Sequence, residues 1–279
     1  MSDLGESIAS LKGFVVDLDG TTYIGDRLIP GATRFFDALT SAGKRHVFIT
    51  NNSSTTGDAY VQKLRRLGLR TADGVVLTSG EATAMVLRQR GHRRLFPIAT
   101  PAFEEELTHA GFVLTSNAPD CVVLGFDKTL TYAKLETATR CIRSGVPFVA
   151  THPDVVCPTE DGYIPDCGAM IALLQAATGV APLVIGKPEP LLVEMALDKL
   201  GLEKHEVAII GDRLYTDIAM GRRAGTRTIL VLSGETTAEV AAVAGDKPDL
   251  IVANVGVLAD LLTNVRAQGR RNALASETA

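Results

Sequence analysis

Six short runs carry apolar, mostly β-branched side chains at nearly every position: Phe14–Val16, His46–Ile49, Gly74–Leu77, Val207–Ile210, Thr228–Leu232 and Leu250–Val252. This continuous apolarity constrains the fold more than any other feature of the chain. A strand with one face in water alternates apolar and polar residues, whereas a strand covered on both faces does not. Between the runs lie segments with helical spacing. Phe35, Phe36 and Leu39 are closed by Gly43, Tyr60, Val61, Leu64 and Leu67 by Gly68, and Leu192, Met195, Ala196 and Leu200 by Gly201. Each pattern places an apolar stripe on one side of a helix, with glycine where a helix commonly ends. Buried strands alternating with helices predict an α/β fold, a doubly wound and mostly parallel Rossmann-like sheet.

The middle of the chain repeats this alternation on a smaller scale. Strands are predicted over Leu95–Ala99, Cys121–Leu124 and Pro147–Thr151, and helices over Glu81–Arg90 and Tyr132–Ser144. With 279 residues the chain is long enough for two domains. The chemical signals described below fall before and after the middle stretch. We therefore expect a core from 1–79 and 182–265, a smaller inserted α/β cap domain over 80–181, and a flexible tail over 266–279.

Composition removes several function classes. A formal net charge of −4 gives no field that would recruit nucleic acid or an anionic membrane. No apolar run approaches the ~20 residues that a membrane helix requires. Cys121, Cys141, Cys157 and Cys167 form no Cys-x-x-Cys pair and have no histidine at zinc-finger spacing. Reduced thiols and the absence of a basic-then-apolar leader in Met1–Lys12 lead to the expectation of a cytoplasmic protein.

Four predicted strand ends carry chemistry. In Asp17-Leu18-Asp19-Gly20, side chains two apart in extended chain emerge on the same side. They would do so at the carboxyl end of a strand, where open α/β sheets bind ligands. Two carboxylates so close need a compensating charge, and Mg²⁺ is a hard cation that takes oxygen ligands. In Thr50-Asn51-Asn52-Ser53-Ser54 a hydroxyl and an amide offer donors to phosphate oxygens, and the Ser-Thr run after it suits a helix start. Gly186-Lys187-Pro188-Glu189-Pro190 would hold a lysine charge beside the aspartates, with the prolines in the first turn of a helix. Finally, Gly211-Asp212-Arg213-Leu214-Tyr215-Thr216-Asp217 places Asp212 to complete a metal site. Asp217 is placed to hold a metal-bound water, to orient Lys187 or to cap a helix.

In order and in residue type these four motifs resemble the haloacid dehalogenase-like superfamily, in its 4-nitrophenylphosphatase and NagD-like branch. The resemblance extends to Tyr23–Asp26 with Ile29–Ala32, and to Gly125–Leu130 and Thr151–Asp154 in the insert. It implies a Mg²⁺-dependent phosphatase in which Asp17 attacks phosphorus, while Asp19 protonates the leaving oxygen and later activates water. By the same resemblance Mg²⁺ is bound by the Asp17 carboxylate, the Asp19 carbonyl and Asp212. Thr50, Asn51, Asn52 and Lys187 hold the transferring oxygens, and Asp217 lies behind them. The expected partner is a small phosphorylated metabolite such as a sugar phosphate, a nucleotide or 4-nitrophenyl phosphate, with no nucleic acid or membrane. A homodimer through the cap is allowed.

One position departs from the family pattern. In Gly162–Ala169, Asp166 stands where the branch commonly has the first glycine of a Pro-Gly-x-Gly turn, so it either binds a substrate hydroxyl or amine, or accepts a different turn geometry. The alternative to an enzyme is a non-catalytic phosphometabolite-binding module. Such a module is free to lose Asp17 or Asp19, and this chain keeps both.

Overall fold

The computed structural model describes residues 8, 10–69, 76–159 and 161–264. Its contacts divide the chain into two compact units, one made of Met1–Ile49, Val61–Val75 and Val193–Ala279, the other of Thr50–Tyr60 and Val76–Leu192. The expected insert, 80–181, lies inside the second unit, which takes in more chain on either side. The expected tail over 266–279, and Gly74 and Val75 of the third apolar run, lie outside the described residues.

In the first unit the strands lie in the order Leu250–Val252, Arg227–Val231, Val207–Gly211, Gly13–Asp17 and Arg45–Thr50, all parallel, with only the last residue of the final strand, Thr50, falling in the second unit. Every residue of Gly13–Asp17 and of Val207–Gly211 is buried, as the unbroken apolar runs require. The helix Ala32–Ser41 covers one side with Phe35, Phe36 and Leu39. Phe35 meets Phe14 edge-on at 5.9 Å, and Phe36 lies 5.0 Å from Phe48. Burying each of these rings contributes about 2–3 kcal/mol.

The order of these strands locates a crevice. From Gly13–Asp17 the chain moves to Arg45–Thr50 on one side, and from Val207–Gly211 it moves outward on the other. The sheet therefore reverses its winding between these two central strands. Open α/β sheets bind ligands at the carboxyl ends of such a pair. Asp17 closes the first strand and Asp212 immediately follows the second.

The second unit has its own parallel sheet, in the order Leu183–Val184, Phe148–Ala150, Cys121–Leu124, Arg94–Ile98 and Val113–Leu114. An antiparallel ribbon, Val156–Thr159 with Gly162–Pro165, precedes the helix Cys167–Thr178. Ile98, Val122, Leu124, Phe126, Phe148, Met170 and Leu174 fill the core between sheet and helices. Threonines start three of its helices. Thr78 forms a capping box with Glu81, and Thr100 and Thr131 accept from Phe103 and Lys134 amides. Among the described residues no helix is long and apolar enough to cross a membrane.

Candidate active site

Asp17 is the last residue of its strand and is buried. Directly after it the chain folds back on itself. The amides of Thr22 and Tyr23 donate to the Leu18 carbonyl, and the Gly20 amide donates to the Tyr23 carbonyl at 2.8 Å. Gly20 has φ +84°, and a Cβ there would lie 2.5 Å from Asp212 Oδ2. The turn therefore needs glycine both for its backbone and for the approach of Asp212. Thr22 Oγ1 donates to the Asp17 carbonyl at 2.7 Å, which fixes the strand end. Asp19 is only partly buried, and the Tyr23 hydroxyl reaches its Oδ2 at 3.4 Å.

Asp212 is held by the loop after the next strand. Its Oδ2 accepts from the Glu235 amide at 2.6 Å, and its carbonyl accepts from the Thr236 amide at 3.2 Å. A Cβ on Gly234 would lie 2.0 Å from the same Oδ2. Arg213 Nε pairs with Glu235 Oε2 at 2.9 Å, and Ser233 Oγ donates to the Gly20 carbonyl at 2.7 Å. Asp217 returns through the π-helical turn Leu214–Ile218. Its Oδ2 accepts from the Arg213 amide at 3.2 Å, and it fills the space where Gly211 lacks a side chain. The helix-cap option for Asp217 is thus replaced by a turn that points its carboxylate back. Carboxylate oxygens of Asp17, Asp212 and Asp217 all lie within 4.8 Å of one another, and all three residues are buried. Three buried carboxylates repel strongly, and a hard cation with oxygen ligands fits this donor set.

The second cluster belongs entirely to the other unit. Thr50 ends its strand, and its Oγ1 accepts from the Asn52 amide at 3.1 Å. Asn52 Oδ1 accepts from the Ser54 amide at 2.9 Å, so this side chain shapes the loop. Ser53 Oγ accepts from the Phe126 amide and bonds Thr151 Oγ1, while Thr100 Oγ1 donates to the Ser54 carbonyl. Asn51 Nδ2 donates to Asp154 Oδ2 and to the Lys187 carbonyl, both at 3.1 Å, and its Oδ1 accepts from the Lys187 amide at 2.8 Å. Lys187 itself is buried. The helix expected to contain Pro188 and Pro190 begins one residue later, at Leu191, so both prolines lie in the preceding turn.

Asp166 is committed inside the protein. It caps the helix Cys167–Thr178, and its Oδ1 accepts from the Cys167 amide at 2.6 Å and bonds His152 Nε2 at 2.9 Å. The close backbone approach that a glycine turn would supply is made two residues later. A Cβ on Gly168 would lie 2.2 Å from the Pro153 carbonyl oxygen. Asp127 binds the Thr129 amide and hydroxyl and Lys134 Nζ, an arrangement that closes a turn. Burial pushes the Cys121 and Cys167 thiols up to about 12, which removes them as nucleophiles near neutral pH. Sequence patterns assign Asp154 no role, although it ends the motif Thr151–Asp154, four residues after the strand Phe148–Ala150.

Residues 14–113 match the family described as haloacid dehalogenase-like hydrolase, and residues 184–258 match the one described as HAD-hydrolase-like. An acid sugar phosphatase from Staphylococcus aureus is 40% identical over 230 residues, covering 82% of this chain and 89% of that protein. The crystal structure of a 4-nitrophenylphosphatase from Thermotoga maritima is 44% identical, with a TM-score of 0.88 over 91% of this chain and 98% of that one. A glycerol phosphate phosphatase from Mycobacterium tuberculosis, crystallised in complex with magnesium, is 32% identical. Its TM-score is 0.82, over 89% of this chain and 77% of that one.

Proposed function

This chain belongs to the haloacid dehalogenase-like hydrolases and is a phosphatase, and from that premise we propose that it hydrolyses small phosphomonoesters in a Mg²⁺-dependent reaction through an aspartyl-phosphate on Asp17. The observation that carries the proposal is the convergence of Asp17, Asp212 and Asp217 at the carboxyl ends of the two strands where the sheet reverses. The Asp17 and Asp212 carboxylates and the Asp19 carbonyl would hold Mg²⁺, with Asp217 beside them. Bound there, the ion supplies positive charge that offsets the carboxylates and the phosphoryl oxygens.

Asp17 attacks phosphorus in line with the ester oxygen, and the P–O bond to the leaving group breaks. Asp19 donates a proton to that oxygen, then takes one from the water that cleaves the aspartyl-phosphate. Its partial exposure suits a group that must exchange protons. By the family resemblance the Thr50 hydroxyl and the Lys187 ammonium would hold the transferring oxygens, which is the positioning and charge stabilisation that phosphoryl transfer demands. Relatives named acid sugar phosphatase, glycerol phosphate phosphatase and 4-nitrophenylphosphatase support sugar and polyol phosphates as the first class to test.

The test is a Mg²⁺-dependent assay on a panel of sugar phosphates, polyol phosphates, nucleotides and 4-nitrophenyl phosphate, with wild type and Asp17→Asn. Wild type should turn over some members, and the variant should lose ~10⁴-fold or more, the scale on which losing a nucleophile is felt. Equal rates from the two proteins would remove Asp17 from the mechanism.

A further inference from the structure

We infer that the Asn51 side chain does not bind substrate but is a positioning residue that, steadied by Asp154, holds the main chain of Lys187. The inference deepens the proposed mechanism, since it rests on Lys187 acting there. A carboxamide has two N–H donors and one oxygen acceptor. Asn51 sends one N–H to Asp154 Oδ2 and the other to the Lys187 carbonyl, and its oxygen takes the Lys187 amide. No donor is left over for a phosphate oxygen. Two of these bonds engage the amide and the carbonyl of a single residue, so the side chain grips Lys187 as a neighbouring strand would.

The surroundings are built for this grip. Gly186 has no room for a side chain, because a Cβ there would lie 2.5 Å from Asn51 Oδ1 and 2.7 Å from the Thr151 carbonyl oxygen. The Gly186 amide donates to that same carbonyl at 2.7 Å, so the chain is tied on both sides of the Gly186–Lys187 peptide. Ser79 Oγ donates to the Asn51 carbonyl at 2.5 Å, fixing the backbone that carries the carboxamide. Asp154 is anchored in turn, because its carbonyl accepts from the Gly168 amide at 2.7 Å at the start of the helix Cys167–Thr178. Its Oδ2 supplies the acceptor that orients the Asn51 carboxamide. A lysine ammonium rides on a flexible four-carbon stem. Fixing the root of that stem narrows where the charge can go, and displacements near 1 Å cost on the order of 10²-fold in rate.

The experiment is a double-mutant cycle in kcat and KM for Mg²⁺-dependent hydrolysis of 4-nitrophenyl phosphate, using Asn51→Ala, Lys187→Ala and the double variant, with Asp154→Ala and Asp154→Asn alongside. Circular dichroism and urea midpoints establish that each variant folds, and Asn51→Ser replaces Asn51→Ala if the latter does not. Asn51→Ala should lower kcat by ~10–100-fold, and adding it to Lys187→Ala should cost nothing more, because coupled residues do not add. Asp154→Ala should lower kcat by about 10-fold, and Asp154→Asn, which keeps a hydrogen-bond acceptor, should recover most of that loss. Losses that multiply in the double variant, or an Asp154→Ala enzyme with unchanged kcat, would overturn the assignment. A Lys187→Ala enzyme as fast as wild type would instead sink the role given to Lys187 in the mechanism, so the two failures are distinguishable.

Discussion

Glu106 should make the protein less stable as pH rises through neutrality, and Glu106→Gln should relieve that cost. The residue lies in the helix Pro101–His109, and both carboxylate oxygens are buried with no hydrogen-bond partner among the described residues. Burial pushes its carboxyl up from 4.5 to about 7, and the negative charge of Glu81 adds to the effect. The native state therefore keeps a proton that the unfolded chain has already lost between these two values. Unfolding in that window releases a proton, so stability falls as pH climbs from 4.5 to 7, and the full cost is present above 7. The separation of the two values corresponds to roughly 3 kcal/mol, and partial access to water screens it to ~1–2 kcal/mol. Glutamine keeps the shape and removes the charge. The variant should gain that ~1–2 kcal/mol at pH 8, a rise of a few degrees in Tm, and only a fraction of it at pH 5. The chain contains no tryptophan, so urea and thermal unfolding are best followed by far-UV circular dichroism. An equal gain at both pH values, or none at pH 8, would refute the argument.

His46 works in the opposite direction. Burial against Phe36 and Phe48 holds its pKa down at about 4, so the unfolded chain binds a proton that the native state refuses as pH falls from 6.5 to 4. The wild type should lose ~1–2 kcal/mol between pH 7 and pH 5 through this group, and His46→Leu should abolish that loss in the same urea titration. Unchanged acid sensitivity in the variant would count against the buried neutral imidazole. Gly234→Ala should damage metal use, since its Cβ would meet Asp212 Oδ2 at 2.0 Å and force the carboxylate aside. The Mg²⁺ concentration for half-maximal activity should rise ~10–100-fold, as when groups that orient a metal ligand are lost. A wild-type Mg²⁺ dependence would show that Asp212 is not held there for a metal.

The sheet was legible because each central strand is buried on both faces and its sequence cannot hide that. Cys121–Leu124 and Leu250–Val252 were located to the residue, the other expected strands differ by one residue at their described ends, and the two-residue strands Val113–Leu114 and Leu183–Val184 were not expected. The ribbons Tyr23–Ile24 with Arg27–Leu28 and Val156–Thr159 with Gly162–Pro165 were not legible. They are too short, or too exposed, to carry an apolar signal. Asp17, Asp19, Thr50, Lys187 and Asp212 all stand at or just beyond strand ends, where residue type and position together point to chemistry. Asp217 was seen as a neighbour, but its entry into the carboxylate cluster depends on a π-helical turn and on the missing side chain of Gly211, which no periodicity reports. The commitment of Asn51 was hidden for a related reason. Asparagine in a strand-end loop suits a phosphate as well as a peptide, and only the placement of Lys187, 136 residues away along the chain, decides between them.

The claim on which the mechanism turns is that Asp17 becomes covalently phosphorylated. The enzyme should be mixed with Mg²⁺ and a turned-over phosphate ester, quenched in acid within the first turnover, digested and mapped by mass spectrometry. The mechanism predicts a phosphoryl group on the peptide containing Phe14–Gly20, located on Asp17 and absent from the Asp17→Asn enzyme. Burst kinetics with a phosphoryl group on any other residue would contradict it, as would full activity in an enzyme whose Asp17 is never modified.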